Sequence, residues 1–434
     1  MIQAYLKPVT TVMAAAVLIG MATAPIQAEE NIVTLQEVVN IAKENNGELK
    51  ALRAEKGVSE ADRTRAGLYP NPVLELEGAT GGLTGSDSEN RASIGVSQEF
   101  LLGGKRAKRL AVAESELARF GSRFQDAERQ LVLEVKTRFY DLLLAESRLD
   151  LVGKSQALND QLLRITKERM AAGEIAELDV NLARVENARS EGLKIDAERE
   201  IVPARQRLLA LMGAPGLTDV KIAGSPYAAP VIADLAELKA LALNNRPDLQ
   251  AAVAEKRKGD AELVLAKAER LPNLTAGIAF SHERSVTSIG NLEERTTDNL
   301  IGMKISIPIP VFDRNQAGVK EAYARKGSAE VRQAFVRQGI EREVEAAHAQ
   351  LAAAEKSLSI YAKNIIPQLA ENLKLIQEAY SLGEVGILSV IDEQKKFIEL
   401  NDGYLAALYN RNLAAAKLEA AVGAELTKND GGNK

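Results

Sequence analysis

Four short segments of the chain alternate between apolar residues and small or polar ones. In RASIGVSQEF, Ala92, Ile94 and Val96 fall on one face, while serine and glycine fall on the other. NLIGMKISIPI alternates in the same way, and a weaker partner precedes each of the two. The pattern predicts strands at about 72–80, 91–101, 272–282 and 298–309. The polar segments GGLTGSDSENR and ERSVTSIGNLEERTTD separate the members of each pair and predict loops.

A long helical pattern follows each strand pair. The runs extend from Lys105 to Met170 and from Gln316 to Ser381, so each helix would be roughly 100 Å long if unbroken. Gly103-Gly104 and Asp313 are suitable turn and N-cap residues before them. The second run carries a coiled-coil seam with alternating steps of three and four residues. Its positions are Val344, Ala347, Leu351, Ala354, Leu358, Tyr361 and Ile365. We expect Pro367 to kink this helix.

Both helical runs end in a Gly-Glu pair. Gly173-Glu174 lies in AAGEIAELDV, and Gly383-Glu384 lies in SLGEVGILSV. Glycine is unfavourable inside a helix but suits a left-handed C-terminal position. Each glycine therefore predicts the tip of a helical hairpin, after which a second helix returns.

The chain is built twice from one unit. NNGELKALRAEK corresponds to NNRPDLQAAVAEK, LYPNP to RLPNL, and the two Gly-Glu tips to each other. The predicted organisation is a first repeat at 29–212, a connector at 213–233, a second repeat at 234–426 and a disordered tail at 427–434.

The first 28 residues resemble a secretory signal peptide. A single lysine precedes the apolar run VTTVMAAAVLIGMATA, and IQA before Glu29 is a suitable cleavage site. A transmembrane anchor is the alternative, but the run is short. The pattern therefore favours an exported protein, and no later stretch is long and apolar enough for a transmembrane helix.

Composition narrows the function classes. The 434 residues include no Cys, no Trp and two His, and the net charge is −5. A cysteine nucleophile is excluded, and a metal or cofactor site is not indicated. The charge does not favour nucleic-acid binding. Because no nucleophile–base constellation or phosphate loop emerges, the sequence predicts a protein that is not an enzyme.

The strands and hairpins together predict a mainly α fold with a small β part. Four strands are too few for a membrane barrel, although their apolar faces suit lipid. Three chains would supply twelve strands. We therefore expect a homotrimer that forms a 12-stranded β-barrel and projects a helical barrel to one side.

The paired units, YPNP, FLLGGKR and the twin Gly-Glu tips resemble TolC-type outer-membrane efflux proteins. LGGKRAKR after SQEF is most similar to the cobalt–zinc–cadmium branch. The resemblance implies a channel in the outer membrane of a Gram-negative bacterium, in contact with its lipid and extending through the periplasm. It also implies a periplasmic adapter, an inner-membrane pump and heavy-metal cations as the transported species.

The resemblance implies functional residues at the tips. Gly173, Glu174, Gly383 and Glu384 would dock the adapter. Ser389 and Asp392 occupy the positions of a periplasmic gate, with Glu393 adjacent. Three copies of Asp392 around a pore would favour cations.

Tyr380 and Asp179 would form a latch that closes the gate. Val385 stands where a basic partner would complete it. Spacing alone favours ordinary solvated charges for Asp179, Asp392 and Glu393, and Tyr380 is equally suited to packing.

Other functions fit parts of the pattern. An outer-membrane duct for drug efflux or protein secretion would share the whole architecture. A periplasmic coiled-coil adapter or scaffold would explain the hairpins but leave the alternating strands without a role.

Overall fold

The computed structural model describes residues 32–83, 88–214, 221–223, 234–290 and 292–426. The predicted signal peptide, the predicted tail and most of the predicted connector lie outside the described residues. None of the described helices contains a stretch that is both apolar enough and long enough to cross a bilayer.

The two repeats have the same order of elements. The first comprises β1 Ile32–Val33, α1 Leu35–Asn45, α2 Gly47–Gly67, β2 Val73–Thr80, β3 Asn90–Phe100, α3 Lys105–Ala171 and α4 Glu177–Met212. The second comprises β4 Lys221–Ile222, α5 Leu235–Asn245, α6 Pro247–Ala268, β5 Leu274–Ile289, β6 Leu292–Ser306, α7 Gln316–Ile360, a π-helical turn Tyr361–Ile365, α8 Ile366–Ser381 and α9 Ile387–Val422. The predicted alternation of strand pairs and long hairpins is therefore present.

The four predicted strands form one antiparallel sheet in the order β2-β3-β5-β6. The central β3–β5 pair joins the two repeats. Ile94 lies opposite Phe280, which in turn lies opposite Ile301, and all three side chains are exposed. The sheet thus presents rows of apolar side chains on one face. A separate parallel pair, β1 with β4, ties the starts of the repeats together.

The second strand pair is longer than the sequence indicated. β5 and β6 continue through ERSVTSIGNLEERTTD, which the pattern predicted as a loop, and they pair as far as Ile289 with Leu292. Gly290, with φ +65°, lies in the turn between them. The prediction relied on an apolar face, which this segment lacks. Its valine, isoleucine and threonines nevertheless favour extended backbone, and the cross-strand ladder satisfies the backbone groups.

The long helices begin as the sequence suggests in one repeat but not in the other. α3 is continuous over 67 residues and starts after Gly104, whose φ is +65°. α7 starts after Asn315, not Asp313, and Asn315 has a left-handed φ of 54°. The Oδ1 of Asp313 instead accepts a hydrogen bond from the Asn315 N–H at 2.8 Å. Asp313 therefore shapes the turn before the helix.

Pro367 is preceded by the π-helical turn Tyr361–Ile365 rather than by a break in the helix. Proline lacks an N–H and its ring crowds the carbonyl four residues earlier. A wider turn with a bond from the Ile366 N–H to the Tyr361 carbonyl relieves that crowding. The helical path continues to the tip.

Each repeat has its own apolar core where the short helices meet the long hairpin. In the first, Val135, Phe139 and Leu142 of α3 are buried against α1 and α4. In the second, Val344 and Leu351 of the predicted seam are buried against α5 and α9. Each hairpin thus extends from the packed region of its own repeat toward its tip.

Candidate functional site

Both hairpin tips have the same backbone geometry. Gly173 has φ +77° and Gly383 has φ +79°, the left-handed conformation that the sequence pattern predicts. The N–H of Glu174 donates to the Arg169 carbonyl at 3.0 Å, and the N–H of Glu384 donates to the Ala379 carbonyl at 2.9 Å. These i+5 bonds close each helix in a Schellman motif. The return helices begin a few residues later.

The two tips pack against each other through a small apolar cluster. Its buried members come from both hairpins and are Leu162, Ala183, Tyr380, Ile387, Val390 and Ile391. This cluster fixes the lower ends of α3, α4, α8 and α9 side by side.

Arg169 connects the two tips directly. Its Nη1 donates to the backbone carbonyl of Tyr380 at 2.7 Å, and its Nε donates to Glu174 Oε2 at 3.0 Å. The guanidinium also lies over the Tyr380 ring, with Cζ 5.1 Å from the ring centroid. One side chain of the first hairpin thus holds both its own tip and the second hairpin. The three contacts suit the planar, multiply donating head of arginine.

Tyr380 is almost fully buried, at 4% exposure. Its hydroxyl has no hydrogen-bond partner among the described residues. Burial raises the pKa of the phenol, the positive charge of Arg169 opposes that rise, and the nearby carboxylate of Asp179 adds to it. No hydrogen bond joins the Tyr380 hydroxyl to Asp179.

The acidic positions of the sequence-predicted gate lie at the start of α9. Ser389 and Asp392 are both exposed and lie about one turn apart. Glu393 differs, because its side chain is only 16% exposed and pairs with Lys396 at 3.4 Å. Asp392 is thus the carboxylate of this segment that faces solvent in the single chain.

The predicted docking residues are exposed. Gly173, Glu174, Gly383 and Glu384 all lie at the surface of the tips. Three leucines around them, Leu178, Leu382 and Leu388, are 66%, 74% and 59% exposed. Apolar side chains on a protruding tip are typical of a protein-binding surface.

Sequence reasoning did not identify Arg169. The available signal was its position four residues before Gly173, because a basic side chain in the last turn of a helix can reach the terminal carbonyls. That it reaches Tyr380 of the other hairpin depends on the packing of the two tips, which the sequence does not specify.

The GGKR motif has a structural role at the base of the sheet. Lys105 is buried, and its Nζ donates to the Leu271 carbonyl and to Asn273 Oδ1. Asn273 in turn donates to Glu99 Oε1 at 2.7 Å. Burial lowers the pKa of Lys105. The amine of Lys105 therefore ties the first repeat to the second.

No group of three or more potential metal ligands occurs among the residues that the structure describes. His282 lies in β5, where its Nδ1 is 2.8 Å from Asn299 Oδ1 of β6.

Comparison with known proteins identifies the family. The profile described as outer membrane efflux protein matches residues 38–214 and 238–424, so the chain belongs to this family. The cobalt-zinc-cadmium resistance protein CzcC of Cupriavidus metallidurans is 25% identical over 90% of both chains. The nickel-cobalt-cadmium resistance protein NccC of Alcaligenes xylosoxydans xylosoxydans is 24% identical, covering 78% of this chain and 75% of its own.

Solved structures show the same fold. A crystal structure of CusC superposes with a TM-score of 0.72 at 19% identity, covering 90% of this chain and 92% of the other. The open state of the MtrE outer-membrane channel of Neisseria gonorrhoeae gives a TM-score of 0.73 at 20% identity, covering 91% and 89%. The fold class and the outer-membrane location predicted from the sequence are confirmed. Proteins of this family function as trimers with periplasmic adapters and inner-membrane pumps.

Proposed function

We propose that the chain is the outer-membrane channel of a tripartite system that exports divalent heavy-metal cations. Three copies would close the barrel, and a periplasmic adapter would join their helical tips to an inner-membrane pump. The channel performs no chemistry of its own. The assignment of metal cations as the substrate rests on the similarity to the cobalt, zinc, cadmium and nickel resistance proteins.

The main support for a channel is the open sheet. β2 and β6 form its two edges, and its apolar rows are exposed. In a bilayer, unpaired backbone groups are costly, so each edge needs a partner strand. Pairing β6 of one chain with β2 of the next satisfies both edges in a closed ring. Three chains give the twelve strands expected from the sequence.

The gate is proposed at the start of α9. An exposed Asp392 from each of three chains would place a ring of carboxylates at the narrow end of the helical barrel, with Ser389 one turn nearer the tip. Such a ring favours cations over anions. The carboxylate of Glu393 already pairs with Lys396 and would contribute less to the cation selectivity of the gate.

Closure of the gate is proposed to depend on Arg169. The latch expected from the sequence lacks a basic side chain at position 385, where Val385 stands. Tyr380 and Asp179 are not hydrogen-bonded to each other. The two contacts of Arg169 with Tyr380 link the same two hairpins, and its pair with Glu174 holds the arginine in place on the first. The neighbouring tips, with Gly173, Glu174, Gly383 and Glu384, remain the proposed adapter-docking surface.

The substrate is tested by metal tolerance in the native host. Deletion of the gene should lower the tolerated concentration of cobalt, zinc or cadmium, and the wild-type chain should restore it. A matched assay with dyes and detergents distinguishes the drug-efflux alternative. Restored drug tolerance without restored metal tolerance would reject the metal assignment and retain the channel.

A further inference from the structure

A cavity of about 630 Å³ lies between α3, α4 and α9, on the side of the apolar tip contacts that faces away from the tips. Pockets for small organic molecules usually enclose roughly 300–1,000 Å³, so the size suits such a ligand. The cavity lies between the hairpins, because α3 and α4 belong to the first and α9 to the second. Asp392 and the tip glycines are not among its described lining residues, so it is separate from the proposed gate and docking surface.

A layer of buried amides lies about one helical turn above the apolar tip contacts. Asn159 of α3, Asn187 of α4 and Gln394 of α9 each lie one turn from a member of that cluster, counted away from the tip. The side-chain oxygen of each amide has no hydrogen-bond partner among the described residues. Asn159 and Gln394 are only 3% and 4% exposed. Because Asn159 also lines the cavity, a ligand with N–H donors can reach a buried acceptor there.

The basic side chains around the cavity are already paired. Arg148 pairs with Asp402 at 2.7 Å. Arg189 and Lys395 both pair with Glu186, at 3.0 Å and 3.5 Å. Each base among the described lining residues is therefore matched by a carboxylate of the same cavity.

Two carboxylates of the cavity have no such partner. Glu200 of α4 and Glu399 of α9 are exposed and form no ion pair with any residue that the structure describes. A further lining carboxylate, Asp196, pairs with Arg199 at 3.1 Å. The cavity thus has an excess of negative charge, and its two unpaired carboxylates lie on different hairpins.

The rest of the lining includes an apolar part. Leu151 and Val152 of α3 and Ile398 of α9 contribute hydrocarbon side chains to it. A hydrocarbon chain with a positive charge at each end matches this combination of apolar wall and paired carboxylates. A single metal ion fits less well, because no group of three or more His or acidic side chains that could hold one occurs in the described part of the chain.

We propose that this cavity binds a linear aliphatic diamine. One ammonium group pairs with Glu200 and the other with Glu399, and the methylene chain lies against the apolar wall. An N–H of the ligand donates to Asn159 Oδ1, the buried acceptor that has no partner within the protein. The ligand thereby links α4 of the first hairpin to α9 of the second.

Isothermal titration calorimetry of the purified protein in detergent, with putrescine as the probe, tests the site. Putrescine should bind once per chain and more tightly than butylamine, which has the same carbon chain but a single ammonium group. Binding is measured without a membrane or a working channel, so the result does not depend on the proposed function.

Glu200→Gln combined with Glu399→Gln should weaken putrescine binding roughly tenfold, since two part-exposed ion pairs are lost. The preference over butylamine should disappear with them. Glu191→Gln combined with Glu198→Gln is the matched control, because it removes two exposed carboxylates of α4 that do not line the cavity. Its affinity for putrescine should equal that of the wild type.

Asn159→Leu tests the buried acceptor. It should weaken putrescine binding without lowering the unfolding temperature of the ligand-free protein, because it removes an acceptor that has no protein partner. Absence of saturable putrescine binding to the folded wild type contradicts the site, as does equal weakening in the cavity and control variants. Magnesium that binds more tightly than putrescine and is lost in the Glu200 and Glu399 variant would reject the diamine in favour of a divalent cation.

Discussion

The guanidinium of Arg169 lies over the ring of Tyr380, with 5.1 Å between its Cζ and the ring centroid. The two residues belong to the last turns of α3 and α8, one in each hairpin. Because Arg169 also donates to the Tyr380 carbonyl, separating the hairpins would break two contacts at once, whereas its pair with Glu174 lies within the first hairpin. This arrangement leads to the first prediction.

Arg169→Ala should increase the open probability of the channel roughly tenfold, because a cation–π contact and a charged hydrogen bond together contribute about 1–3 kcal/mol. Arg169→Lys should have an intermediate effect, since an ammonium can donate to the Tyr380 carbonyl but lacks the planar fork that also covers the ring. Arg184→Ala, which removes an exposed arginine bonded only locally to Asn181, is the control. Equal open probabilities of the Arg169 and Arg184 variants in bilayer recordings would show that Arg169 does not hold the two hairpins together.

Cation selectivity should follow the charge at residues 389 and 392. Asp392→Asn should lower the cation-to-anion permeability ratio, and Ser389→Asp should raise it by adding a second ring of carboxylates. Glu393→Gln should change it little, because Glu393 already pairs with Lys396. Reversal potentials in asymmetric salt give the ratios. A larger effect at Glu393 than at Asp392 would place the constriction on another face of α9.

Gly403→Ala should lower the unfolding temperature. Alanine normally stabilises a helix by up to about 1 kcal/mol relative to glycine. At Gly403 the added Cβ meets the Tyr361 ring, and overpacking of this kind costs about 1–3 kcal/mol. Gly121→Ala in α3 is the matched control, since no atom lies within 4 Å of a Cβ there, and it should be neutral or stabilising. Thermal unfolding followed by circular dichroism compares the two variants. Equal shifts in unfolding temperature would show that the Tyr361 ring moves aside without loss of stability.

Stability should fall at high pH through two tyrosines. Burial raises the pKa of Tyr140 to about 12 and that of Tyr409 to about 12, and the Tyr409 hydroxyl also donates to Asp141. The unfolded chain releases these protons near pH 10, so the folded state binds more protons between pH 10 and 12. The contribution of these two tyrosines to the free energy of unfolding is therefore fully present below pH 10 and is lost as the pH rises from 10 to 12.

The variant with Tyr140→Phe and Tyr409→Phe separates these groups from the lysines, which titrate in the same range. Its unfolding temperature should decline less between pH 10 and 12 than that of the wild type. Parallel declines would show that the two phenols do not contribute.

The sequence was sufficient for features that depend on local pattern. Period-two alternation located the start of β3, and the need for a left-handed residue located Gly173 and Gly383 at the tips. The extension of β5 and β6 was missed because a polar strand has no apolar face to recognise. Asn315 was missed as the N-cap because its left-handed backbone reflects the turn built by Asp313.

Contacts between the repeats could not be predicted from pattern. Burial of Lys105 requires Asn273 and the Leu271 carbonyl from the other repeat. The role of Arg169 requires the packing of two tips more than 200 residues apart in sequence. Pro367 predicted a kink in the helix, but the π-turn and the contact of Tyr361 with Gly403 depend on the neighbouring α9.

Single-channel conductance of the purified protein in planar bilayers, before and after Asp392→Ala, tests the central claim most directly. The account predicts a small, cation-selective conductance from the trimer, which becomes larger and less selective in the variant. A protein shown to be trimeric and inserted, yet silent both as wild type and with Asp392 and Arg169 replaced together, would contradict the assignment as a gated channel.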